Sequence, residues 1–369
     1  MATHGRVSKV AQAVGEADAD ALVLIPGANL YYALGQQQAL SERPSLYVIT
    51  AEGSVAAALP ELEVGNARQA LGDAEIFAWS DAQGPEGAVA RLAEWLRARC
   101  GGSPRLAVEY LNLRLEEREL IVQAMPGAAL VRADGLLGAL RSVKDADELE
   151  AMRRAARIAE DALEMVLASF REGMTERQLA NALKAAMLEL GTEALPKEPV
   201  VSSGPRTAYP HTKTTDRPIR RGDAVMIDTG ARWNGYCSDI TRTFFVGAPP
   251  AEFRRIYEAE LQANRAVVNA VRPGITLGEL DDLAHRAVEE AGLGAYFPHR
   301  VGHGLGLEGH EPPYLVSGNE VRTVPGMTFT IEPGIYHPEH GGVRIEDNVA
   351  VGETGSVCLT SFPRELRVL

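Results

Sequence analysis

The sequence predicts an α/β protein of two domains. Its 369 residues exceed the length at which one hydrophobic core is usual. In the first 140 or so residues, short apolar runs alternate with amphipathic helical patterns, which is typical of a small α/β domain. Beyond residue 145, a long helical pattern followed by strand-rich sequence occurs twice. That repetition indicates a second domain with an internal duplication.

The first domain is predicted to span residues 1–141. Its candidate strands are short apolar runs at 21–26, 45–53 and 106–113. Residues 87–100 have Val89, Leu92 and Leu96 near helical spacing, so we expect an amphipathic helix there. No arrangement of residues in this domain resembles a catalytic site.

The second domain is predicted to span residues 142–369. Ser142 with Asp145 approximates a capping box before a long helix. The apolar stripe of that helix consists of Leu149, Met152, Ala156, Ala159, Leu163 and Val166. Two matching segments, 173–183 and 274–284, each begin Gly-X-Thr and carry a capping box. We therefore expect two α/β halves packed around one sheet.

Composition excludes several classes of function. The formal net charge of −13 argues against nucleic acid or an anionic membrane as a partner. No apolar run reaches the roughly 18 residues that cross a bilayer, and the amino terminus does not resemble a signal peptide. The three cysteines are widely spaced, which favours a reducing, cytoplasmic location, and Cys237 is interpreted as a small buried thiol.

Four acidic residues lie in apolar, strand-like sequence. Asp228 follows Val225–Ile227, Asp239 precedes Ile240, Glu332 follows residues 327–331, and Glu346 follows Ile345. Each acid alone has an ordinary explanation as a turn or strand-end residue. Together they would place several buried carboxylates close to one another, and such groups cannot all stay ionised without cations.

A dinuclear metal site accounts for this pattern. Five of the eight histidines fall between residues 299 and 340, and His303 stands among glycines within that stretch. Oxygen ligands with one imidazole suit Mn²⁺, Co²⁺ or Zn²⁺ better than a soft metal. Two such ions about 3.5–4 Å apart can share a hydroxide that is nucleophilic at neutral pH.

Several motifs resemble those of the pita-bread metallopeptidases, a family that includes methionine aminopeptidase, aminopeptidase P, prolidase and creatinase. The motifs are DTGARWNGYCSDITRTFFVG (228–247), GHGLGLEGHEPP (302–313), TIEPGIY (330–336) and VRIEDNVAV (343–351). The resemblance is close from about residue 145 to 369. It is looser in the first domain, where residues 21–35 resemble the start of a creatinase-type domain. It implies a creatinase-type α/β domain followed by a pita-bread α+β catalytic domain with a pseudo-two-fold duplication.

By position, the resemblance implies five ligands for two divalent metal ions per subunit. Asp239 and Glu346 would bridge the ions, Asp228 would complete one site, and His303 and Glu332 the other. Mn²⁺ is the expected metal, with Zn²⁺ or Co²⁺ as alternatives.

The resemblance also implies residues that act on the substrate. His211, His310 and Arg344 take the places of the family's active-site histidines and substrate-side arginine. Glu332 would manage the proton of the attacking water, and Tyr336 lies near the substrate pocket in some relatives. The presence of all five ligands argues against a metal-free or inactive relative.

The implied activity is hydrolysis of Xaa-Pro bonds in small proline-containing peptides. The two-domain layout and the HEPP and VRIED segments favour the proline-specific branch over methionine aminopeptidase. Prolidase, which cleaves dipeptides, is favoured modestly over aminopeptidase P because the chain is compact. A non-catalytic binding protein on the same fold is the third alternative. We also expect a homodimer, as is common in the family.

Overall fold

The computed structural model describes residues 3–369, which form two compact units divided between Arg141 and Ser142. The first unit carries six strands and six helices among its described residues. The strands are β1 Ala21–Leu24, β2 Leu46–Thr50, β3 Val55–Pro60, β4 Glu75–Trp79, β5 Arg105–Val108 and β6 Ala129–Arg132. The helices are α1 Thr3–Glu16, α2 Ala28–Leu34, α3 Glu61–Leu71, α4 Glu86–Cys100, α5 Leu115–Ala124 and α6 Asp134–Ser142.

The six strands form one mixed sheet in the order β4-β3-β2-β1-β5-β6. The α/β character predicted for this unit and the helix predicted at 87–100 are confirmed. The strands are shorter than predicted where the backbone finds other partners. After Leu24, for example, the Ile25 N–H donates to Glu109 Oε2 at 2.9 Å, and Pro26 has no N–H to donate.

The second unit begins with a helix pair, repeats that pair after five strands, and ends in a run of strands. Its helices are α7 Ala146–Ser169, α8 Glu176–Glu189, α9 Ala251–Ala270 and α10 Leu277–Glu290, with short 3₁₀ turns at Gly204–Ala208 and Gly294–Tyr296. Its first strands are β7 Val200–Ser203, β8 Ala224–Thr229, β9 Arg232–Trp233, β10 Tyr236–Cys237 and β11 Ile240–Phe245. The later strands are β12 Gly302–Gly304, β13 Glu311–Leu315, β14 Thr328–Ile331, β15 Gly334–His337, β16 Gly341–Arg344, β17 Asp347–Val351 and β18 Ser356–Cys358.

Capping boxes begin three of these helices. Thr175 with Gln178 caps α8 and Thr276 with Glu279 caps α10, as predicted. The prediction for α7 is displaced by one turn. Its cap is Asp145 with Glu148, because Ser142 still belongs to α6 and Asp145 is the first residue whose side chain can accept from an N3 amide.

Each helix pair packs on its own set of strands. Helices α7 and α8 bury their apolar faces against the sheet β11-β8-β7, whereas α9 and α10 do so against the five-stranded sheet β13-β12-β14-β17-β18. The two helix pairs therefore cover two sheets rather than the one expected, and the pairs β10-β9 and β15-β16 form two further short sheets. A single antiparallel bridge between Thr241 and Glu346 joins the two helix-covered sheets. The bridge is isolated because Glu346 lies between β16 and β17 and belongs to neither strand.

The pairing register of the strands places the acidic residues where the two sheets meet. Asp228 lies inside β8, opposite Thr241 on one side and Val200 on the other, rather than at the strand end. Glu332 directly follows β14, and Glu346 lies between β16 and β17. The Glu346 N–H donates to the Thr241 carbonyl at 3.0 Å, which fixes its backbone beside β11.

A buried arginine holds the same junction together. Arg242 is 1 % exposed and donates to Asp347 Oδ1 at 2.8 Å, to the Glu346 carbonyl at 2.5 Å and to the Phe362 carbonyl at 2.7 Å.

No helix in the described part of the chain is both long and apolar enough to cross a membrane.

Replacing Arg242 with Met should lower the free energy of unfolding of this unit by about 3–5 kcal/mol, because the buried carboxylate of Asp347 loses one of its two arginine partners and buried carbonyl oxygens lose their donor. Arg255→Met, which removes an exposed ion pair with Glu252, should change it by less than about 1 kcal/mol. Urea unfolding followed by circular dichroism measures both. Equal effects of the two variants would contradict the role given to Arg242.

Candidate active site

The four acids and His303 meet around one buried volume of the second unit. Ligand atoms of Asp228, Asp239 and Glu346 lie within 4.8 Å of one another, as do those of His303, Glu332 and Glu346. Glu346 belongs to both groups. The structure thus brings together all five residues expected as ligands, from β8, β12, the start of β11 and the ends of β14 and β16.

Hydrogen bonds orient these side chains from behind. Thr241 Oγ1 donates to Glu346 Oε2 at 2.6 Å. The Asp239 amide donates to Asn348 Oδ1 at 2.9 Å, and the Asn348 amide group donates back to the Asp239 carbonyl at 2.5 Å. Thr330 Oγ1 donates to Glu332 Oε1 at 3.1 Å. Such outer contacts fix the direction in which a ligand presents its free oxygen.

The buried carboxylate oxygens that face one another have few donors. Glu346 Oε1 accepts no hydrogen bond from any described residue, and Asp228 Oδ1 and Asp239 Oδ1 lie 2.5 and 2.6 Å from the same ammonium, that of Lys197. Buried acceptors are almost always satisfied, and clustered carboxylate oxygens are what hard divalent cations bind. The residues present therefore fit a divalent metal.

Burial and mutual repulsion act on the pKa values of the acids. Burial raises the pKa of Glu346 well above its usual range, and Asp239 and Glu332 raise it further. Burial also raises the pKa of Asp239 to about 6, although Lys197 pulls it down. Asp239 and Glu346 thus resist ionisation unless positive charge is added nearby.

The other two acids have cationic partners. Burial tends to raise the pKa of Asp228, but Lys197 and Arg344 outweigh burial and lower it. For Glu332, burial is outweighed by the contact with His303, whose Nε2 lies 3.1 Å from Oε1, and the pKa falls to about 2. These two carboxylates are therefore ionised at neutral pH.

Lys197, which the sequence did not single out, reaches the same carboxylates. Its Nζ lies 2.5 Å from Asp228 Oδ1, 2.6 Å from Asp239 Oδ1 and 2.9 Å from Asp239 Oδ2. A lone lysine in the PKEP segment offers little signal in one sequence. Only its position three residues before β7, which begins at the apolar pair Val200 and Val201, could have hinted at this role.

Arg344 lies on the other side of Asp228. Its guanidinium donates to Asp228 Oδ2 at 2.7 Å and to the hydroxyl of Tyr336 at 3.1 Å. Tyr336 is buried and also contacts His299 Nε2 at 2.9 Å. Tyr336 thus supports Arg344 from behind and is not among the residues that line the adjoining cavity.

A cavity of about 350 Å³ opens beside these groups. It is lined by Pro210, His211, His299, Arg300, His303, His310, Glu332 and Arg344. The rings of His303 and His310 stack with centroids 3.6 Å apart. Burial, together with His303 and Lys197, lowers the pKa of His310 to about 4, so His310 is neutral at pH 7.

Arg300 is a second cation of the cavity that the sequence did not single out. Its guanidinium lies 4.3 Å from the centre of the Tyr314 ring, and it makes no ion pair with a described residue. Arg344, by contrast, is already paired with Asp228. Arg300 is therefore the cavity arginine with charge to offer an anionic ligand.

Sequence comparison agrees with this arrangement. Residues 150–353 match Metallopeptidase family M24, and residues 6–143 match the Creatinase/Prolidase N-terminal domain. The chain belongs to metallopeptidase family M24. The resemblance drawn from the motifs is thereby confirmed, as is the fold of a creatinase-type domain followed by an M24 domain.

Three solved peptidase structures are similar to this protein over nearly the whole chain. A dipeptidase from Pyrococcus horikoshii is 37 % identical, with a TM-score of 0.91, covering 99 % of this chain and 100 % of its own. An Xaa-Pro dipeptidase from Bacillus anthracis is 32 % identical, with a TM-score of 0.90 and full coverage of both chains. An X-Pro aminopeptidase from Thermotoga maritima is 29 % identical, with a TM-score of 0.86, covering 98 % of this chain and 99 % of its own.

The M24 family assignment implies divalent metal ions, and the carboxylate and histidine groups described above are able to bind them. Asp239→Asn should weaken metal binding by more than about a hundredfold, because even changes behind a ligand typically cost 10–100-fold. Metal analysis after dialysis against Mn²⁺ measures this effect.

Glu260→Gln is the matched control for Asp239→Asn. Glu260 is buried behind Ile345, and burial raises its pKa well above the usual range, which favours its neutral form. Its replacement by the neutral amide should leave metal content unchanged. Full metal content in Asp239→Asn would contradict the ligand role of Asp239.

Proposed function

We infer that this metallopeptidase hydrolyses the Xaa-Pro bond of dipeptides with two divalent ions held by Asp228, Asp239, His303, Glu332 and Glu346. The observation that carries the proposal is the small cavity beside the ligand set, with Arg300 unpaired in its lining. Its volume lies at the lower end of the roughly 300–1,000 Å³ usual for ligand pockets, which suits a dipeptide. Arg300 offers the cation that the free carboxylate of such a substrate requires.

A proline at the second position also explains the need for a dedicated pocket. The Xaa-Pro amide has no N–H, and the ring restricts the preceding residue. A peptidase that holds its substrate as an added strand loses a hydrogen bond there. The histidines and arginines of the cavity can hold the substrate without that bond.

The side chains have distinct chemical tasks in this proposal. When bound, the divalent ions supply an activated water and polarise the carbonyl that is attacked. Glu332, ionised at neutral pH, accepts the proton of the attacking water. His310, neutral at pH 7, donates a hydrogen bond to the developing oxyanion. Each such donor is typically worth about 3–4 kcal/mol in the transition state.

Two residues complete the arrangement. His211, at the cavity wall, orients the leaving proline or passes it a proton, and this task could be exchanged with that of His310. Arg344 stays beside Asp228 and faces the cavity, where it holds the substrate backbone.

Mn²⁺ as the native metal, a homodimer and a cytoplasmic location remain predictions from the sequence.

Two alternatives compete with this proposal. An Xaa-Pro aminopeptidase is favoured by the likeness to the Thermotoga structure, and it requires the cavity to stay open beyond the proline. A non-catalytic binding protein would not need the full set of five ligand residues. The set is complete here, which supports a catalyst.

A panel of substrates separates these activities. With Mn²⁺, Co²⁺ or Zn²⁺ added, the protein should cleave Xaa-Pro dipeptides faster than Xaa-Pro-Yaa tripeptides or Xaa-Ala dipeptides, and chelation should abolish the activity. Equal or faster tripeptide cleavage would select the aminopeptidase. Equal cleavage of Xaa-Ala dipeptides would show that the enzyme does not require proline.

Arg300→Met tests how the cavity recognises a dipeptide. Loss of a charge-assisted hydrogen bond should lower kcat/KM for Xaa-Pro by about 10–100-fold, chiefly through KM. An Xaa-Pro amide, which lacks the carboxylate, should be cleaved equally by both proteins. The control is Arg286→Met, which removes an exposed arginine of α10. Equal losses on the acid and the amide would exclude Arg300 as the carboxylate ligand.

A further inference from the structure

Lys197 places a positive charge where the carboxylates of Asp228 and Asp239 converge. All three of its short contacts, 2.5–2.9 Å, are to these two residues. Among the described residues, Lys197 is the only lysine that forms an ion pair with a proposed metal ligand. Its side chain is 30 % exposed, so it has a route to solvent.

Local structure delivers the lysine to this point. Pro196 and Pro199 restrict the backbone on either side of Lys197 and Glu198. Strand β7 begins at Val200, which is paired in register with Asp228 of β8. Upstream, the Glu193 N–H donates to the Arg232 carbonyl at 3.0 Å. The segment is thus anchored on both sides, and Lys197 reaches Asp228 from the adjacent strand.

An ammonium and a divalent ion cannot share these oxygens. Metal–oxygen bonds of about 2.0–2.2 Å to Asp228 and Asp239 would place an ion close to the position of Nζ. Both centres are positive, so repulsion adds to the steric conflict. An ion can enter this group only if Lys197 moves out.

The ammonium matches the group incompletely. It contacts Asp228 Oδ1 and both carboxylate oxygens of Asp239 at 2.5–2.9 Å. Glu346 Oε1, from the third ligand of the group, accepts no hydrogen bond from any described residue. A divalent ion can bind all three oxygens, so displacement of the lysine is feasible at a cost in affinity.

The second ligand group meets this competition less directly, through the shared Glu346 and the expected bridge Asp239. His303 and Glu332 contact each other at 3.1 Å, and neither has a contact with Lys197 among the ion pairs of the structure. We propose that Lys197 is an internal competitor for one of the two metal sites, so that the ions bind in two unequal steps. The His303–Glu332–Glu346 site fills first, and the Asp228–Asp239–Glu346 site fills only when Lys197 is displaced.

This inference rests on the proposed two-metal function and adds a form of regulation to it. The lysine neutralises the two aspartates whenever the second ion is absent. Occupancy of that site, and with it activity, then follows the supply of free divalent metal.

Calorimetric titration of metal-free protein with Mn²⁺ tests the proposal. The wild type should bind two ions, the second more weakly than the first. Lys197→Met should bind the second ion at least about tenfold more tightly. In the wild type the ion must first displace the contacts of the Lys197 ammonium with Asp228 and Asp239, and such contacts of a charged group are strong. The affinity for the first ion should change by less than that for the second. Unchanged or weaker binding of the second ion in Lys197→Met would overturn the proposal.

Lys213→Met is the matched control. Lys213 is an exposed lysine beside a neighbouring cavity that Asp228 also lines, and it makes no ion pair with a described residue. Its removal changes the net charge equally but should leave both affinities at wild-type values. A gain as large as that of Lys197→Met would reduce the effect to net charge and overturn the assignment.

A measurement on the wild type covers the case in which Lys197→Met fails to fold. Lys197 should become more reactive toward an amine-acetylating reagent, read by mass spectrometry, as the second equivalent of Mn²⁺ is added. Constant reactivity would overturn the proposal. Wild-type protein that binds no divalent ion would sink both this inference and the proposed function, whereas two ions with unaltered affinities in the variant would sink only the inference.

Discussion

Mutual repulsion among buried carboxylates is the constraint that organises the second unit. Asp228, Asp239, Glu332 and Glu346 are drawn from both helix–strand halves and converge on one volume. Burial alone would drive protons onto them, as the raised pKa values of Asp239 and Glu346 show. Such a cluster is stable in its ionised form only with added positive charge. In this account divalent ions supply that charge.

The surrounding fold fixes the cluster through the backbone rather than through packing of the acids themselves. The bridge from Thr241 to Glu346 joins the two sheets at the site, and Asn348 holds Asp239 through paired hydrogen bonds. Arg242 and Asp347 lie directly behind. The carboxylates of the cluster are therefore held in place by the same contacts that join the two halves.

The sequence predicted much of this arrangement because its signals are local or specific in type. Capping boxes predicted the starts of α8 and α10, and acids in apolar strands predicted the cluster of carboxylates. Its misses have physical causes. Whether the strands form one sheet or two depends on long-range pairing, which leaves no local pattern. Asp145 rather than Ser142 caps α7 because α6 extends further than its sequence indicates.

Lys197 and Arg300 were missed for a related reason. Each is a single cation whose importance depends on what lies across from it in space, and neither has a periodicity or spacing that reveals its partner. Lys197 becomes significant only once β7 is paired with β8, beside Asp228. Arg300 becomes significant only when the cavity shows which guanidinium is already paired and which is not.

The most direct measurement is a crystal structure of the Mn²⁺-loaded protein with anomalous scattering data collected at the manganese edge. The account predicts two anomalous peaks, one within reach of Asp228, Asp239 and Glu346, and the other beside His303, Glu332 and Glu346. If crystals of Mn²⁺-saturated protein gave an anomalous map with no peak among these side chains, the account would be contradicted.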